Sequence, residues 1–227
     1  VGDIHLGRRP GHLPEALRES PWSPADLGPG AAWRVTVDYA LSQQVAAVVL
    51  AGDVVDCVDD RFEAAERIES GLAALREAGI PVFAVVGNHD VEALPRTAAL
   101  VSGFHLLGRG GWERRQVTCA GGETFYLLGW SFTNQKEYSN PVAQLSPADV
   151  EPADGPTLGV LHCDLGATGG PYAPVPRRHL DEGPAGRADA WFLGHIHKPS
   201  DLKSPRPVGY LGSLSGLHPG EPGRHGP

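Results

Sequence analysis

The feature that most constrains this chain is a series of short apolar runs that alternate with helical stretches. Their hydrophobicity is continuous, which is typical of strands buried on both faces. Apolar residues at steps of three and four predict helices at 33–41 and 62–75, and Gly79 follows the second helix as a stop. The pattern predicts an α/β fold, with a hairpin over 113–132 that turns at Gly121. The apolar runs cover residues 47–51, 81–86, 157–161 and 190–193.

The composition is that of a folded, acidic chain. Of its 227 residues, 41% are hydrophobic and 20% are charged, which excludes a wholly disordered protein. The net charge of −8 argues against a large basic nucleic-acid surface, although bound cations can reverse the local field at a site. No apolar run approaches the roughly 18 residues that cross a membrane. Three cysteines without CxxC spacing (Cys57, Cys119 and Cys163) indicate buried thiols in a reducing, cytoplasmic compartment.

We expect a single domain over residues 1–227. The composition of the two ends indicates that this domain is a fragment or is ordered only in part. The chain contains no Met, and its first four residues resemble the end of a strand. Residues 216–227 are rich in Gly, Pro and His, so we interpret them as a tail. Five histidines in loops or in this tail are interpreted as surface or structural residues: His12, His105, His179, His218 and His225.

Polar side chains collect where the apolar runs end. The five motifs are Asp-x-His at the N-terminus, then Gly-Asp-x-x-Asp, Gly-Asn-His-Asp, a lone His, and Gly-His-x-His. In open α/β sheets, ligands bind at this edge. A glycine before three of these motifs allows a sharp backbone turn there. The polar residues are Asp3, His5, Asp53, Asp56, Asn88, His89, Asp90, His162, His195 and His197.

The spacing and chemistry of these residues predict metal binding. In extended backbone, residues i and i+2 point to the same side, so Asp3 with His5 and His195 with His197 each aim two donors into one cavity. Carboxylate and imidazole together suit Mn, Fe or Zn. Seven of the ten residues are candidate metal donors: Asp3, His5, Asp53, Asn88, His162, His195 and His197. Seven donors exceed the needs of one ion. They fit two ions that share a carboxylate, an arrangement that cleaves phosphate esters. Each motif alone is common, whereas all five in this order argue against a purely structural role.

The ordered motif set resembles that of the calcineurin-like metallophosphoesterases from residue 1 to about residue 213. Finer features are similar to the SbcD-like DNA repair exonucleases. These features are Asp-Ile-His-Leu-Gly at 3–7, Tyr-Ala-Pro at 172–174, Leu-Gly-His-Ile-His-Lys at 193–198 and Tyr-Leu-Gly-Ser at 210–213.

This resemblance implies a four-layer α/β/β/α sandwich with two divalent ions at the C-terminal ends of the strands. Manganese is the expected metal, with iron and zinc as alternatives. Asp53 would bridge the two ions. The first ion would be held by Asp3, His5, Asp53 and His197, and the second by Asp53, Asn88, His162 and His195.

The resemblance also implies roles for residues that do not bind metal. His89 would face the substrate phosphate and protonate the leaving oxygen. Asp90 or Asp56 would orient imidazoles, which makes both candidate members of the catalytic machinery. Arg8 and Arg9 are weaker candidates for contact with the phosphate.

Three functions follow. The first is a DNA phosphodiesterase, an exonuclease or endonuclease of a repair complex. Its expected partner is an SMC-like ATPase, and no contact with a membrane is expected. A C-terminal capping region would lie beyond this chain. Any homodimer would form through helix 61–78 or the helix before it. The second function keeps the chemistry but takes nucleotides or other small phosphate esters. The third is a non-catalytic protein-binding scaffold, which has no need of seven donors and an acid.

Overall fold

The computed structural model describes residues 1–8, 15, 21, 26–56, 61–151 and 154–226. None of the helices within these residues is long and apolar enough to span a bilayer. The helices are α1 (Pro29–Ser42), α2 (Arg61–Glu77), α3 (Ala93–Leu100) and α4 (Arg177–Asp181). The strands are β1 (Val48–Leu50), β2 (Val82–Ala84), β3 (Phe104–Leu106), β4 (Glu113–Thr118), β5 (Thr124–Trp130), β6 (Thr157–His162), β7 (Asp164–Leu165), β8 (Pro174–Val175), β9 (Ala190–Gly194) and β10 (Val208–Tyr210).

The four apolar runs of the sequence form β1, β2, β6 and β9, and the predicted hairpin is the antiparallel pair β4–β5. Gly79 follows α2 with a left-handed φ of 73°, which is the conformation expected of a helix stop. Helix α3 and strand β3 were not predicted, because a helix of eight residues and a strand with two apolar positions carry little periodic signal.

The strands form two main sheets. The first sheet is parallel, in the order β1–β2–β3. The second has the order β10–β9–β6–β5–β4 and is parallel except for the hairpin β4–β5. Strands β7 and β8 form a separate parallel pair. Parallel strands place their carboxyl ends at one edge of each sheet, so the loops that follow them can meet there.

The sheets pack face to face and are covered by helical segments on their outer faces. Phe83 and Val85 of the first sheet pack against Leu127 and Val160 of the second. The opposite face of β1 and β2 belongs to a core that includes Trp33 of α1. Short helical segments at Pro141–Gln144, Pro147–Val150 and Ala185–Arg187 lie with α4 on the far side of the second sheet. The architecture is the predicted four-layer α/β/β/α sandwich.

The N-terminal segment joins the two sheets at the edge where the motifs lie. The amino group of Val1 donates a hydrogen bond to the carbonyl oxygen of Val49 at 2.8 Å, and Gly2 forms a parallel bridge with Ser213. The predicted extended geometry of the Asp-x-His motif is wrong, because φ is 38° at Asp3 and 53° at His5. A left-handed turn, not an extended strand, brings these two side chains to the site.

Of the two described cysteines, one is buried as predicted and one is not. Cys163 is fully buried, and burial raises the pKa of its thiol. Cys119 is half-buried and unpaired, whereas Cys57 lies outside the described residues.

Candidate active site

Asp53 lies at the centre of the site and gives each carboxylate oxygen a different role. The backbone N–H of His89 donates to Oδ1 at 2.9 Å. Oδ2 lies 3.9 Å from Nε2 of His5 and 3.3 Å from Nε2 of His162. A single carboxylate oxygen therefore faces imidazole nitrogens from two distant parts of the chain, as expected of a residue shared by two donor groups.

The first donor group consists of Asp3, His5 and His197, whose ligand atoms lie within 4.8 Å of one another. Nδ1 of His5 donates to Oδ1 of Asp56 at 2.8 Å. Nδ1 of His197 donates to Oε1 of Glu221 at 2.7 Å. In a neutral ring this bond leaves the lone pair on Nε2, and the Nε2 atoms of His5 and His197 face each other at 3.1 Å.

The second donor group consists of Asn88, His162 and His195. His162 ends β6 and is fully buried, and its Nδ1–H donates to the carbonyl oxygen of Ala51 at 3.0 Å. In the neutral ring this bond leaves Nε2 as the lone-pair atom, 3.1 Å from Oδ1 of Asn88. The ring of His195 lies edge-on to that of His162, with 5.3 Å between centroids.

Asp3 connects the two groups. Both of its oxygens accept the backbone N–H of His195, at 2.9 and 3.2 Å. Its carboxylate also lies within 4.8 Å of the ligand atoms of Asp53 and His162. The seven predicted donors are thus brought together, although the sequence places them at five separate points.

The electrostatics of the site favour positive charge between the side chains. Burial alone would lower the pKa of His162, but the carboxylates of Asp53 and Asp3 raise this pKa to about 9. Burial also opposes ionisation of Asp53, yet His162 and His5 hold the pKa of its carboxyl well below the usual range. The charged Asp53 therefore attracts a proton or a cation to Nε2 of His162.

The backbone at the site is held in uncommon conformations. Six described residues other than glycine have left-handed φ angles, and four of them are donors: Asp3, His5, Asp53 and His195. Such conformations are uncommon for side-chain-bearing residues and cluster at functional sites. Their concentration here is an independent indication that these loops are built around a ligand.

Glycines allow the donor loops to approach one another closely. Gly52 has a φ of 87°, so it does provide the turn that the sequence predicted. Gly87 and Gly194 do not have left-handed φ angles, and their role is space. A Cβ atom at Gly87 would collide with Oδ1 of Asp53, and one at Gly194 would collide with the carbonyl oxygen of Ala51.

His89 and Asn88 point in different directions although they are neighbours. Asn88 is buried and faces His162, whereas His89 is exposed. Nδ1–H of His89 donates to the carbonyl oxygen of Asp56 at 2.8 Å, which leaves Nε2 free on the solvent side. The rings of His89 and His5 are 5.1 Å apart, so His89 lies beside the first donor group.

The two carboxylates proposed to orient imidazoles differ in what they contact. Asp56 does hold His5, as described above. Asp90 instead accepts two backbone N–H groups, from Gly87 and from Val54, each at 2.7 Å. These bonds occupy both of its oxygens, so Asp90 ties the loops after β1 and β2 together and does not orient a ring.

The predicted phosphate-binding arginines are only partly described. Nη1 of Arg8 lies 3.6 Å from Oδ1 of Asp56, so the guanidinium charge faces the carboxylate that holds His5. Arg9 lies outside the described residues.

Sequence reasoning missed Glu221. It lies in the segment interpreted as a tail, 24 positions after His197, and no motif joins the two residues. His218 and His225 also belong to this region of the structure, since His218 Nε2 lies 3.0 Å from the Glu221 carboxylate. Among the other histidines set aside, His105 stacks on Phe83, and His12 lies outside the described residues.

The donor set fits divalent cations. Two imidazole lone pairs that face each other at 3.1 Å repel unless a positive charge lies between them. Histidines are the charged neighbours of Asp53, and Asp3 faces histidines and the amino group of Val1. Mixed carboxylate, imidazole and amide donors suit transition-metal ions, but they do not distinguish manganese from iron or zinc.

A family comparison identifies this arrangement. Residues 1–199 match the model of the calcineurin-like phosphoesterase family. The chain belongs to that family. The two donor groups are accordingly its candidate ligands for a dinuclear metal site.

Named relatives add detail to this family membership. The chain is 29% identical over 223 residues to the uncharacterized metallophosphoesterase YhaO of Bacillus subtilis (strain 168), covering 95% of this chain and 51% of YhaO. It is 36% identical over 131 residues to the DNA double-strand break repair protein Mre11 of Haloferax volcanii, covering 56% of this chain and 26% of that protein. The Methanosarcina acetivorans Mre11 is 27% identical over 203 residues, which are 89% of this chain and 31% of that protein. The chain thus spans about half or less of these relatives' lengths.

A solved structure shares this fold. The protein TT1561 of Thermus thermophilus superposes with a TM-score of 0.50 at 14% identity, over 84% of this chain and 87% of that one. At this identity the likeness concerns the fold alone.

Proposed function

We propose that this phosphoesterase hydrolyses phosphodiester bonds of DNA as the nuclease of a repair complex, with manganese as its metal. The observation that carries the chemistry is Asp53, whose Oδ2 lies between His5 and His162. Similarity to Mre11 proteins named for DNA double-strand break repair supports DNA as the substrate.

Two divalent cations held by the donor groups would neutralise phosphate oxygens and make an attacking water more acidic. The protein's own residues would do the rest. Asp56 and the carbonyl oxygen of Ala51 fix the tautomers of His5 and His162, which keeps their Nε2 atoms available as ligands. His89, when protonated, would donate from Nε2 to the departing oxygen, because its Nδ1–H is already committed to the Asp56 carbonyl.

In this proposal an SMC-like ATPase and a second copy of the chain are the partners. A dimer through α1 is supported by the exposure of Val35 and Tyr39, which are 61% and 54% accessible. The donor edge would stay open to a polymer.

The second candidate is hydrolysis of nucleotides or other small phosphate esters. The observation in its favour is the scarcity of free positive charge beside the site. Arg8 is directed to Asp56, and the whole chain carries a net charge of −8.

Substrate comparison decides between the two candidates. The purified chain is loaded with Mn²⁺ and assayed on single-stranded and duplex DNA, on an aryl phosphodiester and on an aryl phosphomonoester. We expect DNA to be cleaved with the largest kcat/KM. Cleavage of the small esters alone would support the second candidate, and no cleavage of any ester would favour a scaffold.

His89→Ala tests the mechanism. We expect DNA cleavage to fall by about 10²–10⁴-fold, because a positioned general acid is lost, while both cations remain bound. A diester with a very acidic leaving group needs little protonation, so the defect should shrink on it. His105→Ala is the control, since His105 is also an exposed histidine but stacks on Phe83 and has no assigned role in the site. Loss of a cation in His89→Ala would make His89 a ligand.

A further inference from the structure

Glu221 is the carboxylate that contacts Nδ1 of His197. Its Oε1 accepts the Nδ1–H of that ring at 2.7 Å, and the side chains of His197 and Glu221 are 21% and 14% exposed. Glu221 lies beyond residues 1–199, the part that the family model matches. The family match therefore does not extend to Glu221, and the role of this residue has to follow from its contacts in the structure.

The first step is the tautomer of His197. A carboxylate only accepts hydrogen bonds, so the proton of a neutral His197 must sit on Nδ1. Nε2 is then the lone-pair atom, and it is this atom that lies 3.1 Å from Nε2 of His5. Without Glu221, the ring could carry its proton on Nε2, which would remove it as a ligand.

The second step is that Glu221 is itself held in place. Its Oε2 accepts the backbone N–H of Leu217 at 2.7 Å. Its carbonyl oxygen lies 3.1 Å from Nε2 of His225, whose Nδ1 lies 3.2 Å from the carbonyl oxygen of Ser213. Ser213 in turn donates its backbone N–H to the carbonyl oxygen of His197 at 3.0 Å. The segment that carries Glu221 is thus anchored to the backbone of the histidine that it contacts.

The third step is the parallel with His5. Both histidines of the first donor group donate Nδ1–H to a carboxylate, Asp56 or Glu221, and turn Nε2 inward. Carboxylates that bind the far nitrogen of a metal-ligating histidine fix its tautomer and raise its basicity. Glu221 supplies for His197 what Asp56 supplies for His5.

We propose that Glu221 is a positioning residue that holds His197 as a ligand of the first cation site. The segment 213–225 is then part of the active site and not a tail. This inference rests on the proposed function only in assuming that cations occupy the donor groups.

Glu221→Gln provides a sharp test because the amide has only one oxygen. If that oxygen accepts the Leu217 N–H, the amide NH₂ faces His197 and forces its proton onto Nε2. The tautomer is read in the apo protein from ¹⁵N NMR of the histidine side chains. We expect Nδ1–H in the wild type and Nε2–H in Glu221→Gln. A neutral His197 ring with its proton on Nε2 and none on Nδ1 in the wild type would overturn the inference without any variant.

Cation binding is the second readout. Calorimetry with Mn²⁺ should show two sites in the wild type, and Glu221→Gln should weaken one of them by about 10–100-fold. Glu113→Gln is the matched control, since Glu113 likewise accepts one backbone N–H, from Gly108, and one side-chain N–H, from Arg115. Unchanged affinity at both sites in Glu221→Gln would refute the role of Glu221. A wild type that binds no pair of cations would instead refute the proposed function.

Discussion

The two donor groups are fixed by different parts of the fold. In the second group, His162 is fully buried at the end of β6 and donates Nδ1–H to a main-chain carbonyl. In the first group, His5 and His197 depend on side-chain carboxylates from loops, Asp56 and Glu221, which are 21% and 14% exposed. The comparison teaches that the sheet itself sets one half of the site, whereas loop residues set the other.

Asp53→Asn should have the largest effect, because it removes the charge that both groups share. We expect the cation affinity of both sites to fall by more than roughly 100-fold, which is the upper range for residues that only hold a metal ligand in place. Diesterase activity should be lost with the cations. Calorimetry with Mn²⁺ measures the two affinities.

Asp181→Asn, a change of the same type in the surface pairs with Arg177 and Arg206, is the control for Asp53→Asn. If Asp53→Asn weakens only one site, Asp53 is not shared, and the two groups are less connected than the structure indicates.

Asp56→Asn should separate the groups. The asparagine oxygen can turn toward His5, because the described hydrogen bonds place no backbone donor on the Asp56 carboxylate that would hold the amide the other way. We therefore expect the first cation site to weaken by about tenfold, at the low end of the range for such residues, and the second to be unchanged.

Manganese titration followed by electron paramagnetic resonance distinguishes the two sites in Asp56→Asn. Asp149→Asn is the control, since Asp149 lies within the short helix Pro147–Val150 and accepts the backbone N–H of its capping residue Ser146. An equal loss at both sites would show that His5 and His162 are not independently positioned.

Five of the seven predicted donors come together because they lie at or after the ends of strands: Asp53, Asn88, His162, His195 and His197. Runs of apolar residues mark the strands, and parallel strands bring their carboxyl ends to one edge. That rule places Asp53, Asn88 and His162 together without any knowledge of side-chain contacts. The assignment of these donors to two ions came from the family resemblance and stays a prediction.

The supports of those donors could not be predicted in the same way. Asp90 was grouped with Asp56 because both are carboxylates near histidines, yet Asp90 accepts two backbone N–H groups. Glu221 was missed because its contact with His197 depends on how residues 213–225 fold back. Such contacts depend on tertiary geometry and leave no spacing in the sequence.

The predicted extended form of Asp3-x-His5 failed for a related reason. Period-two reasoning holds only for regular strands, and both residues have left-handed φ angles. Both side chains still reach the first donor group, so the expected location was correct although the expected backbone was not.

Gly52→Ala gives the smallest expected effect and tests whether the second group is set by the main chain. Gly52 has a φ of 87°, and a Cβ there would lie 2.7 Å from Nδ1 of His162 and 2.9 Å from the backbone of Gly87. The methyl group should push His162 from the Ala51 carbonyl, lowering the free energy of unfolding by about 1–3 kcal/mol and weakening only the second cation site.

Gly79→Ala is the matched control, because Gly79 has a φ of 73° with no atom within 4 Å of the added Cβ. Gly79→Ala should lower the free energy of unfolding by only about 1 kcal/mol, which measures backbone strain alone. Chemical denaturation of the apo proteins and Mn²⁺ calorimetry of both variants give the difference, and an equal result for the two would mean that His162 tolerates displacement from the sheet.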